Sequence, residues 1–186
     1  MPVVIGAKRE SGFRDPIGLL TDCHRRVEKF LSVLVQVIAQ AKGGPLSAEQ
    51  RTALDTALRY FREAAPKHTA DEEESLFPRL RTVGGPELCA VLDRVTALEQ
   101  DHVEAEKRHA GVDRLGQAWL TDEMLPPAEA ARFSELVSEL TDLYRVHIAM
   151  EEREVFPAAA AALGHAEREA VGIEMAARRG LSAVQT

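Results

Sequence analysis

Two stretches of this chain match each other without a gap. His68 to Pro78 reads HTADEEESLFP and His147 to Pro157 reads HIAMEEREVFP, with six of eleven positions identical at an offset of 79 residues. Two further histidines, His24 and His102, stand 78 residues apart. The spacing inside each half also agrees, 44 residues from His24 to His68 and 45 from His102 to His147. Such a duplication predicts two copies of one helical hairpin, each with a histidine on its first helix and a His-x-x-x-Glu on its second. Stacked about a pseudo-two-fold axis, the copies bring four histidines to the middle of a single bundle.

The turn signals agree with four long helices. Asp15-Pro16 is a cap followed by proline at the first helical position, and Gly43-Gly44-Pro45 stops the helix it opens. Ser47 to Gln50 is a capping-box pattern opening a second helix that is expected to end at Phe77-Pro78, with Pro66 kinking it just before His68. A third helix starts after Gly84-Gly85-Pro86 and gives way to a loop over Trp119 to Pro126; a fourth runs from Pro127 to Phe156-Pro157. Apolar residues recur at steps of three and four on each, as in Leu20, Val27, Leu31 and Leu34. The expectation is an all-α, up-down-up-down antiparallel four-helix bundle over residues 15–157. An irregular arm precedes it over 1–14, and a short extra helix from His165 to about Arg179 lies within a C-terminal segment over 158–186.

Composition narrows the function. A chain of 186 residues with 45% apolar and 28% charged residues can bury a sizeable core. Its net charge of −7, with no long run of Lys or Arg, disfavours a nucleic-acid partner. No apolar stretch approaches the roughly 20 residues that span a bilayer, and the run at Val3, Val4 and Ile5 is too short for a signal peptide. Cys23 and Cys89 are lone thiols of the kind a reducing compartment tolerates. Together these set a cytoplasmic expectation.

Histidine and glutamate four residues apart share one helix face. If both face the core, imidazole and carboxylate without thiolate suit iron, zinc or manganese. The predicted ligands are His24, His68, Glu72, His102, His147 and Glu151, with Glu72 and Glu151 shared between two metals. Two buried carboxylates without a cation would be costly. The spacing alone is weak, because all six histidines have an acid four residues on: Glu28, Glu72, Glu106, Asp113, Glu151 and Glu169. Exposed ion pairs use that spacing too. The in-register duplication is what singles out the central set. Glu28 and Glu106 are candidates for ligands, for hydrogen-bond acceptors behind the ligands, or for surface charges. Tyr144 is either core or a hydroxyl at a ligand pocket, and His109 a core or pocket residue.

The order His, His-x-x-x-Glu, His, His-x-x-x-Glu, with Phe-Pro after each second motif, resembles the hemerythrin-like (HHE cation-binding) family over about residues 15 to 157. The resemblance implies two iron ions, a non-haem di-iron centre with an oxo or hydroxo bridge, meeting dioxygen, nitric oxide or peroxide at an open position. Oxygen-carrying hemerythrins place a second histidine four residues after the third-helix one, where this chain has Glu106. The set here is more similar to bacterial hemerythrin-like proteins, including those that repair iron centres after nitrosative damage. Three readings follow: an oxygen or iron carrier or sensor; an oxidoreductase turning over peroxide or nitric oxide with an unnamed electron donor; and a metal-free or zinc-bound helical interaction module.

Overall fold

The structure, a computed structural model, describes residues 11–181. Most of the expected arm over 1–14 lies outside these residues, as does the end of the C-terminal segment. Helix α1 spans Pro16–Ala41; Pro16 is at its start and the Asp15 carboxylate accepts from the Gly18 N–H at 3.1 Å. It ends on Lys42 and Gly43, both with positive φ. A side chain at Gly43 would also meet Ala130, 2.6 Å from its Cβ position, so this turn requires glycine.

Helix α2 spans Ala48–Glu63 and opens on the expected capping box: Gln50 N–H donates to Ser47 Oγ at 3.2 Å and Ser47 N–H to Gln50 Oε1 at 2.8 Å. The rod breaks at Ala64, and α3, Ala65–Asp71, resumes with Pro66 in its first turn. A wide π turn over Glu72–Leu76 leads into α4, Phe77–Val83. The fourth rod repeats this, with α6 over Pro127–Met150, a π turn over Glu151–Val155 and α7 over Phe156–Ala162. The rods therefore do not stop at Phe77-Pro78 and Phe156-Pro157, contrary to the sequence expectation. A proline inside a regular helix lacks a donor and collides with the preceding turn. Here Phe77 N–H bonds to the Glu72 carbonyl, and Phe156 N–H to that of Glu151, five residues back. Each proline thus follows a turn already widened.

A short 3-10 turn, Pro86–Leu88, precedes α5, Cys89–Asp122. The loop expected from Trp119 is helical through Asp122. Trp119 is buried, its indole N–H donates to the Gly44 carbonyl at 2.8 Å, and its ring meets Phe133 edge-on. That anchor draws the last turn of α5 into the core and shortens the loop to 123–126.

Helix α1 packs on α2 and α6, and α5 packs on the same two. This is the neighbour pattern of an antiparallel up-down-up-down four-helix bundle, with the second and fourth rods on a diagonal. Helix α8, His165–Arg178, is the extra C-terminal helix; it lies against α1, α3 and the first π turn. Gly172 lets α8 also approach the segment just before α1, because a Cβ there would stand 1.9 Å from the Phe13 carbonyl oxygen. Among the described residues, no helix is long and apolar enough to cross a membrane.

The interior holds two apolar clusters. One includes Val27, Leu34, Leu58, Phe61, Trp119 and Leu140; the other includes Leu20, Phe77, Leu98, Val155, Phe156 and Met175. Each fully buried Leu or Phe contributes about 1.5–3 kcal/mol, so these clusters hold the bundle together. Between them runs a buried polar layer, which costs stability unless it is satisfied.

Candidate metal centre

The polar layer occupies positions where each rod's seam would otherwise carry apolar side chains. His24 lies between Leu20 and Val27 on α1, and His102 between Leu98 and Ala105 on α5; all four neighbours are buried. His68 and Glu72 flank the start of the first π turn, His147 and Glu151 that of the second. The structure brings all six predicted residues together, and Glu72 and Glu151 are fully buried.

Their donor atoms form two groups, one of His24, His68, Glu72 and Glu151, the other of Glu72, His102, His147 and Glu151, each group within 4.8 Å. Glu151 Oε2 lies 3.0 Å from His24 Nε2 and 3.3 Å from His147 Nε2. The Glu72 oxygens lie 3.4 Å from His68 Nε2 and 3.5 Å from His102 Nε2. His102 Nε2 and His147 Nε2 face each other at 3.1 Å. Bonds of about 2.0–2.2 Å to a shared ion separate neighbouring donors by about 3.0–3.5 Å, the range seen here.

The carboxylate approaches are not ordinary hydrogen bonds. His24 Nε2 and all four oxygens of Glu72 and Glu151 are buried without a hydrogen-bond partner among the described residues. Buried polar atoms are rarely left so, and these aim at common points between the rods, so the donor set fits a cation. The chain also matches the hemerythrin family, described as the hemerythrin HHE cation binding domain, over residues 15–159. It belongs to that family. An uncharacterized protein of Haemophilus influenzae is 29% identical over 148 residues, which is 75% of this chain and 76% of that one.

Electrostatics in this hemerythrin domain favour the same use. Burial, reinforced by the Glu151 carboxylate, raises Glu72 well above the ordinary carboxylate value. Burial pushes Glu151 up as well, but the imidazoles of His147 and His24 outweigh it and hold this carboxyl low. His68 is held well below the usual histidine value by burial and then by His24; His102 is lowered by burial and His147 against the pull of Glu73. Neutral imidazole is the ligating form. Burial lowers His147 as well, but the Glu151 carboxylate and then Asp101 outweigh it and raise this imidazole. Without a cation the site therefore holds Glu72 toward its neutral form and pairs the Glu151 charge with His147, and a cation would take the place of those protons.

Behind the ligands stands a ring of carboxylates that the sequence reading did not single out. His24 Nδ1 meets Glu152 Oε1 at 2.9 Å, and His102 Nδ1 meets Glu73 Oε1 at 2.8 Å. His147 Nδ1 meets Asp101 Oδ2 at 3.4 Å. Such partners orient a ligating imidazole and raise its basicity. Glu73 and Glu152 were visible as the second identical glutamate of the repeat. The positions weighed for this role, Glu28 and Glu106, are both exposed, and Glu28 is ion-paired with Arg25. A second unforeseen feature is Asp71, fully buried and held by Arg178 and Arg179 of α8.

A cavity of ≈ 270 Å³ lies beside the layer, lined by Phe61, Thr69, His102, Ala105, His109 and Tyr144. Tyr144 and His109 both line it, and the Tyr144 hydroxyl stands 3.0 Å from His109 Nε2. Glu106 also lines it. His165 is exposed, 3.9 Å from Glu169, and Asp113 pairs with Arg62 at 3.0 Å, so neither of those two His-x-x-x-acid pairs enters the site. Cys89 is exposed, and Cys23 is buried next to His24 in the chain.

Proposed function

We propose that this chain is a non-haem di-iron protein that binds or reacts with dioxygen, nitric oxide or peroxide in oxidative or nitrosative stress handling within the cytoplasm. His24 and His68 would hold one iron, His102 and His147 the other, and Glu72 and Glu151 both. The carrying observation is the pair of buried donor groups sharing two carboxylates that have no hydrogen-bond partner among the described residues. Oxygen and nitrogen donors without thiolate suit iron, the charge of two buried carboxylates favours cations over none, and the two donor groups provide two positions. When bound, an iron pair supplies the redox chemistry that such small ligands require.

The chain's own residues would do the rest. Glu152, Glu73 and Asp101 orient the imidazoles. The cavity gives a route to His102, and the aromatic rings of Phe61 and Tyr144 on its wall limit water. A water occupies about 30 Å³ of liquid, so this space accommodates a diatomic or a peroxide with room to spare. Nucleic acid and membrane have no part in this reading.

Metal analysis with optical spectroscopy tests it. Protein grown with iron should hold about two irons per chain and change its spectrum when the reduced form meets dioxygen, nitric oxide or peroxide. Zinc alone in the site, or an iron spectrum indifferent to all three, would remove the proposal.

A further inference from the structure

The internal two-fold axis equates His24 with His102, His68 with His147, Glu72 with Glu151 and Glu73 with Glu152. Two of the hydrogen bonds behind the ligands obey it: each first-helix histidine meets the second glutamate of the opposite half, at 2.9 and 2.8 Å. The third does not. His147 Nδ1 meets Asp101, whereas His68 Nδ1 is buried and has no hydrogen-bond partner among the described residues. The residue 78 positions before Asp101 is Cys23, a free buried cysteine whose sulfur is a weak acceptor. The remaining pair is also uneven, because both Glu152 oxygens hold Arg25 as well, drawing charge away from His24.

We infer that the two cation positions are unequal: the His102/His147 position, with a carboxylate behind each imidazole, fills first and holds its ion, and the His24/His68 position is the exchangeable one. This rests on the two-cation reading proposed above. Both asymmetries act in the same direction. A carboxylate accepting from Nδ1–H makes the opposite nitrogen a better donor and locks the ring, and losing one such partner costs about 10–100-fold in metal affinity. The cavity borders His102 and neither His24 nor His68, so the position that retains its ion is also the one a ligand reaches.

The test is a calorimetric titration of the metal-free full-length chain with zinc, a redox-silent probe, using a competing chelator to resolve tight binding. Two steps of one equivalent each are expected, separated by about 10–100-fold. His147→Ala should remove the tight step and His24→Ala the weak one. Asp101→Ala should weaken the tight step about tenfold or more and leave the weak one in place; Asp101 is 37% exposed at its side chain, so this variant keeps its fold, as circular dichroism would verify. Independently, crystals grown with one equivalent of zinc should show its anomalous signal at His102 and His147. Two indistinguishable steps, a tight step that survives His147→Ala, or a first ion at His24 and His68 would overturn the inference and leave the two-cation reading standing. Uptake of fewer than two ions, with zinc and with ferrous iron alike, would end both.

Discussion

Arg179 of the C-terminal helix closes on Asp71, three residues after His68, with Nη2 2.6 Å from Oδ2. Arg178 holds the other oxygen at 2.9 Å and the Ser75 hydroxyl at 2.8 Å. The carboxylate is fully buried, and these two guanidiniums are its cationic partners. Removing the partners of a buried charge costs about 3–5 kcal/mol. Arg178→Ala with Arg179→Ala should lower stability by that order in urea melts, and adding Asp71→Asn should recover part of it. An unchanged melt would mean that α8 is not a structural clamp.

The two shared carboxylates should respond oppositely when made neutral. Glu72 sits above its ordinary pKa, so its charge is disfavoured in the metal-free fold; Glu151 sits below, so its charge is favoured. Glu72→Gln should leave the metal-free protein as stable as the parent or more so at neutral pH, and Glu151→Gln should destabilise it. Both variants should lose the stabilisation that added metal confers. Thermal melts with and without metal distinguish these outcomes, and equal losses in the metal-free state would contradict the assignment.

Burial lowers His109 to about 4. The unfolded chain takes up its proton near the ordinary value of about 6.5, so between those values the unfolded state binds more protons than the native one. Stability from this residue is therefore intact above about pH 6.5 and is lost as pH falls through 4. At about 1.4 kcal/mol per pKa unit, the full loss is on the order of 3 kcal/mol. His109→Phe should remove this component, seen as a shallower fall in urea midpoint from pH 7 to pH 4.5 than the parent shows. Parallel pH profiles would refute it.

The close contact at Gly172 gives a prediction of packing. Its missing Cβ would stand 1.9 Å from the backbone oxygen of Phe13, so Gly172→Ala must push α8 off the segment that leads into α1. The variant should melt several degrees lower, and hydrogen exchange should rise in α8 before the four main rods. Exchange rising uniformly instead would show that α8 is not a separable unit.

Much of the molecule was legible as pattern. The duplication around His68 and His147, the caps at Asp15 and Ser47 and the kink at Pro66 led to the rods and to the six residues that now stand together. The departures have two origins. Phe77-Pro78 and Phe156-Pro157 looked like stops because proline opposes a regular helix, and a π turn removes that opposition. Trp119 looked like loop because its partner, the Gly44 carbonyl, is distant in sequence.

What this chain's sequence settled alone is periodic and local: which faces are apolar, where backbone donors are capped, and that one hairpin occurs twice. The partners of each imidazole were decided only in three dimensions. Glu152 reaches His24 across 128 positions and Arg179 reaches Asp71 across 108, and local periodicity carries no information about such pairs. A repeat implies symmetry, but packing of the full bundle gave His147 a carboxylate that His68 has no counterpart to among the described residues.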